Sequence, residues 1–123
     1  MSGQGERASA AWLLQAANWI IDHRQTETRG VWPRAAALLG RQALETAVTD
    51  RFPQLAGASG RDRNTCLPVL LDDADLGRRL GLSWSALSRA THHHAYDLPP
   101  TADELKHLLQ PIAGLLATRP TAT

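Results

Sequence analysis

WPRAAALLGRQALETAVTDR, residues 32–51, reads as one long helix. Ala35, Leu38, Leu39, Ala43, Leu44, Ala47 and Val48 recur at spacings of three and four and give it a broad apolar face. Pro33 suits its first turn, where a missing N–H costs nothing. Pro53 places its end near Phe52. Gly40 interrupts the face and costs about 1 kcal/mol relative to Ala; close packing against the preceding helix is the expected compensation.

The same periodicity extends outward. Upstream, Ser9 is placed to cap a helix running to about Arg24, with Trp12, Leu13, Ala16, Trp19 and Ile20 as its apolar positions. Gln25 to Gly30 is a polar break. Downstream, Gln54 to Asn64 reads as a loop and Cys66 to Leu71 as a short helix broken by Pro68. Asp72 or Asp73 caps another short helix ending at Leu80-Gly81, and Ser83 starts a further one through about Ala95, with Trp84 and Leu87 on its packing side. Asp97-Leu98-Pro99-Pro100 stops it. Thr101 and Glu104 form a capping box for a last helix carrying Leu105, Leu108, Leu109, Ile112, Leu115 and Leu116, which Pro111 is expected to kink or divide. The organisation is a flexible leader (1–7), one helical domain (8–117) and a flexible tail (118–123).

Composition agrees with an all-α bundle of four to six helices. Leu and Ala, both strong helix formers, dominate the apolar residues, and β-branched residues are sparse. With 123 residues, the chain suits a single hydrophobic core. The net charge of +1 gives no general argument for nucleic-acid binding, but 12 of the 13 basic side chains are Arg, which pairs bidentately with phosphate or carboxylate. A single cysteine, Cys66, excludes an intrachain disulfide and a thiolate-rich zinc site; a buried, inert thiol is expected. No apolar run spans a bilayer and the first residues lack a signal-peptide pattern, so the expected setting is cytoplasmic, with no membrane partner.

The most distinctive local feature is Arg89-Ala90-Thr91-His92-His93-His94-Ala95-Tyr96. At about 100° per residue, Arg89 and His93 lie about 40° apart around a helix, Arg89 and His92 about 60°, and Arg89 and His94 about 140°. Three readings compete. One is structural: a histidine favoured by the carbonyls at a helix C-terminus, with Arg89 paired to Asp97 or Glu104. A second is a metal site, disfavoured because adjacent histidines on a helix diverge and no HExxH pair is present. The third is metal-independent RNA cleavage. One histidine would take the proton of a ribose 2′-hydroxyl, the oxygen would attack the adjacent phosphorus, and Arg89 would offset the charge growing on the phosphoryl oxygens. The product is a 2′,3′-cyclic phosphate.

This segment resembles the Arg-x(4–6)-His motif of the HEPN superfamily. Residues 32–51 are similar to the long early helix of small actinobacterial HEPN-like proteins, and residues 83–109, with Tyr96-Asp97-Leu98-Pro99-Pro100, extend the similarity. The resemblance implies an up-and-down bundle, a homodimer with the motif helices facing each other, and no cofactor. It also implies either a ribonuclease, as in toxin–antitoxin or antiviral systems, or a non-catalytic module binding a protein partner, a nucleotide or a polyanion. Antitoxin-like or other regulatory proteins are the implied partners. Arg89 matches the motif arginine and His94 its histidine, with His92 and His93 as neighbouring alternatives. Ala90 departs from the polar residue that often follows the arginine.

Arg61 and Arg63, with Arg89 and Tyr96, are the candidate RNA- or phosphate-contacting residues, although Arg61 and Arg63 flanking Asp62 also fit a solvated charge cluster. Arg78 and Arg79 follow Asp72, Asp73 and Asp75, which suits local pairing. Trp12, Trp19, Trp32 and Trp84 are expected in the core or at a dimer interface rather than stacked on bases.

Overall fold

A computed structural model describes residues 8–92 and 98–118. Among these, five α-helices and no strand form: α1 (Ala10–Asp22), α2 (Trp32–Arg51), α3 (Gly60–Leu70), α4 (Ala74–Thr91) and α5 (Ala102–Ala117), with short 3-10 turns at Thr26–Thr28 and Pro53–Leu55. The expected all-α bundle is what the chain forms.

Local chemistry sets most of the helix starts. Ser9 Oγ accepts from Trp12 N at 3.1 Å, Ser59 Oγ from Asp62 N at 3.1 Å, and Asp73 Oδ1 from Leu76 N at 3.0 Å. Thr101 and Glu104 complete the capping box, with bonds of 3.1 and 3.2 Å. Only α2, whose N-cap is Val31, has no side-chain cap in this set of five, and its first turn carries no acidic residue.

The long helix α2 is the centre of the bundle and packs against α1, α4 and α5. Its buried stripe is Ala36, Ala37, Gly40, Ala43, Leu44, Ala47 and Val48. These mostly small residues let the neighbouring helices come close on several sides. Leu38, expected inside, is exposed. Gly40 does admit a close neighbour, but the neighbour is not α1: a Cβ there would sit 2.5 Å from Leu109 Cδ2 of α5 and 3.5 Å from Leu87 of α4. Leu44, Leu80, Leu87, Leu105 and Ile112 are fully enclosed. Each such burial stabilises the fold by about 1.5–3 kcal/mol.

Several expectations need correction. The short helix expected to end at Gly81 and the further one expected from Ser83 are one continuous α4. Leu76, Leu80, Ser83 and Leu87 form an unbroken buried stripe through it, and packing along that stripe outweighs the propensity cost of the glycine. The helix also ends at Thr91 rather than near Ala95, with His92 as its C-cap. The loop expected over Gln54–Asn64 contains a 3-10 turn, and α3 already begins at Gly60, so Arg61, Asp62 and Arg63 are helical. Pro111 does not divide α5; the proline is buried in an uninterrupted helix. On α1 the core takes Leu13, Ala17 and Ile21, while Trp12 and Trp19 face outward, 57% and 60% exposed. Trp32 and Trp84 are half-buried against the core, as is Cys66, expected to be buried. Thr118, assigned to the tail, accepts a 2.7 Å hydrogen bond at Oγ1 from Arg51 Nη1. No helix among the described residues is long and apolar enough to cross a membrane.

Candidate functional site

In the last turn of α4 Thr91 Oγ1 donates to Leu87 O at 2.8 Å and the N–H of His92 reaches Ser88 O at 3.2 Å. Arg89, in that turn, is exposed and lies where a cation is favoured by the free helix carbonyls. It borders an open hollow of about 600 Å³ with Ala86, Leu98, Pro99, Glu104 and Leu108. Among the described residues no carboxylate forms a salt bridge with Arg89. Glu104 is engaged instead by the N–H of Thr101. The expected Arg89–Glu104 pair is therefore absent, and Asp97, the other expected partner, lies outside the described residues.

A second, smaller hollow of about 60 Å³ adjoins the first and shares Ala90, Pro99 and Pro100 with it. Its other walls are Arg29, Gly30, Pro33 and Arg34. Arg29 and Arg34 are exposed, and both flank the uncapped start of α2. A helix N-terminus carries partial positive charge and favours anions. Arg29 and Arg34 thus line one hollow and Arg89 its neighbour, with the Ala90-Pro99-Pro100 wall between them. Exposed Leu98 and Pro99 offer an apolar surface beside the cations.

His92 is exposed and caps α4 one turn beyond Arg89, about 4.5 Å further along the axis and about 60° around it. His93, His94 and Tyr96 lie outside the described residues, so the x4 partner of the motif has no place in this geometry. Among the described residues no group of three or more His, Cys, Asp or Glu side chains is arranged to hold a metal ion.

Arg61 and Arg63 lie elsewhere, on α3. Arg61 is exposed in the first turn. Arg63 has its charge already matched: its Nη2 is 2.9 Å from Glu45 Oε2, with its side chain only 11% exposed. The same Glu45 oxygen accepts from Trp84 Nε1 at 3.2 Å, and the guanidiniums of Arg41 and Arg63 lie 6.0 and 5.9 Å from the Trp84 ring centre. This cluster ties α2, α3 and α4 together. Arg78 pairs with Asp75 at 3.2 Å, the local pairing expected for that stretch.

Sequence reasoning missed Arg29 and Arg34. A signal for them exists: between Glu27 and Glu45 the chain carries Arg29, Arg34 and Arg41 and no acidic residue. No protein-family description, curated protein or solved structure matches the chain. None of these comparisons identifies a relationship to HEPN proteins.

Proposed function

We propose that the chain binds a phosphate-rich ligand, RNA in the first instance, in the depression between the end of α4 and the start of α2. The observation that carries this reading is the convergence of Arg29, Arg34 and Arg89 on hollows sharing one Ala90-Pro99-Pro100 wall. Guanidinium groups pair bidentately with phosphate oxygens. The uncapped start of α2 adds partial charge of the same sign. Leu98 and Pro99 give a ribose or base an apolar surface, and the openness of the larger hollow suits a chain passing through.

A ribonuclease is the second reading, favoured by exposed His92 one turn from Arg89. In that reading a histidine of the run takes the 2′-hydroxyl proton, the 2′-oxygen bonds to phosphorus, and the 5′-oxygen leaves, taking up a proton. The products are a 2′,3′-cyclic phosphate and a 5′-hydroxyl end. Arg89 serves both readings as the phosphate clamp.

Fluorescence anisotropy with labelled single-stranded and hairpin RNA, in EDTA and across a salt series, tests the binding. Wild-type affinity should fall with salt, because bound cations are displaced from phosphate. Arg89→Ala and the double variant Arg29→Ala with Arg34→Ala should weaken binding and lower the log–log salt slope by roughly one per phosphate contact removed. Absence of salt-dependent binding to every RNA, or equal binding by all variants, overturns the reading. Gel analysis of the same samples separates the alternatives. Cleavage lost on single alanine substitution at His92, His93 or His94, with binding retained, assigns catalysis; intact RNA throughout leaves a binding module.

A further inference from the structure

The face of α1 turned away from the core is apolar and uncharged. Trp12 and Trp19 stand on it, 57% and 60% exposed. With Gln15, Ala16, Ile20 and Leu39 they line an apolar groove of about 520 Å³. No residue from Ala8 to Ile21 is ionisable. Solvent-facing helix surfaces ordinarily carry charge, and contiguous exposed apolar patches mark interaction sites. The absence of any cation in the groove argues against a polyanion as its occupant.

We infer that a second copy of this chain covers the groove, forming a two-fold dimer in which the α1 helices cross antiparallel. The spacing carries the choice of partner. Trp12 and Trp19 are seven residues apart, so they share a face with about 10 Å between them along the axis. Their midpoint falls between Gln15 and Ala16. An antiparallel two-fold through that point brings Trp12 of each copy onto Trp19 of the other, satisfying both pairs at once, as an isologous contact requires. Ala16 at the centre allows close approach, and an uncharged face meets its own copy without repulsion. Trp19 is pre-positioned: the His23 ring stacks on it at 4.2 Å and 16°, and His23 Nδ1 donates to Trp19 O at 2.9 Å. Such a fixed aromatic loses little entropy on binding.

The area fits a reversible dimer. A buried aromatic covers about 150–250 Å², so the exposed parts of four tryptophans contribute on the order of 500 Å². The remaining face of α1, with Leu38 and Leu39 of α2, adds to this. The sum places the contact at the small end of specific interfaces, below about 1,200 Å². The dimer is accordingly concentration-dependent.

Sedimentation equilibrium of the full chain over a concentration series is the test, with circular dichroism confirming helix content. Wild type should pass from monomer to dimer, and Trp19→Ala should weaken association about thirtyfold, the size of a hot-spot truncation. Gln15→Arg and Gln15→Glu, on an exposed residue beside the axis, should each be monomeric because like charges meet across it. Mixed together, the two should associate. A wild-type monomer at every soluble concentration overturns the proposal. So does a dimer indifferent to all three substitutions, or a monomer whose tryptophan emission shifts blue on neutral phosphatidylcholine vesicles, which would assign the face to lipid.

Discussion

Single side chains in this protein divide into those that hold helices together and those left facing solvent, and the arginines show the division best. Arg63 and Arg41 are drawn to Glu45 and Trp84, whereas Arg89 stands exposed in the last turn of α4. Glu45→Ala would strand a largely buried guanidinium and the Trp84 indole N–H together. It should lower stability by about 1–3 kcal/mol, read from urea denaturation. Glu45→Gln keeps an acceptor for the indole and should lose less. Arg89→Ala removes an exposed side chain without a described partner and should change stability by no more than about 0.5 kcal/mol. Unfolding curves of the two variants therefore separate the structural arginine cluster from the proposed ligand site. The site was only partly legible in sequence. Arg89 stood out because histidines follow it. Arg29 and Arg34 line the adjoining hollow from a loop and a different helix; the acid-free run from Arg29 to Arg41 marks them as basic, but no local pattern encodes their meeting with Pro99 and Pro100.

Elements were legible where capping and periodicity agreed, and misread where punctuation was taken at face value. Ser9, Asp73 and the Thr101–Glu104 pair mark true helix starts. Gly81 and Pro111 looked like breaks, yet the stripes Leu76-Leu80-Leu87 and Leu105-Leu109-Ile112-Leu115 run through them. On α1 the pattern was ambiguous from the start, because both of its faces are apolar and only the bundle decides which is enclosed. The two glycines of α4 make the difference testable. A Cβ at Gly77 would sit 2.7 Å from Pro68 Cα, against backbone that cannot yield, whereas one at Gly81 would meet Asn64 at an ordinary 3.5 Å. Gly77→Ala should therefore destabilise by about 1–3 kcal/mol through overpacking. Gly81→Ala should instead stabilise by up to about 1 kcal/mol through helix propensity. Opposite signs in thermal melts of the two variants would show that α3 is seated on α4 at Gly77, and equal losses would contradict that seat.

At the scale of the whole molecule, helices distant in sequence are closed on one another by burial, with charge adding a small, pH-dependent component. Lys106 of α5 reaches Asp22 at the end of α1, with Nζ 2.9 Å from Oδ1. The hydrogen bond from Lys106 chiefly, opposed by desolvation and aided by the charges of Lys106, His23 and Arg24, holds the Asp22 carboxyl below its ordinary value of 3.8. A carboxylate whose folded pKa is depressed stabilises the fold above its unfolded pKa. That contribution is lost as pH falls through the lower, folded value. Lys106→Met removes it, so the variant should melt slightly below wild type at neutral pH. The difference should shrink as pH drops below 3.8 and vanish once Asp22 is protonated in both folded and unfolded states. Asp22 is exposed and Lys106 half-buried, so the effect should be small and should fade with added salt. Thermal melts between acidic and neutral pH, at low and high salt, read all of this at once. A difference that persists unchanged into acid would mean that the aliphatic stem of Lys106, packing between α1 and α5, holds the two helices together more than its charge does.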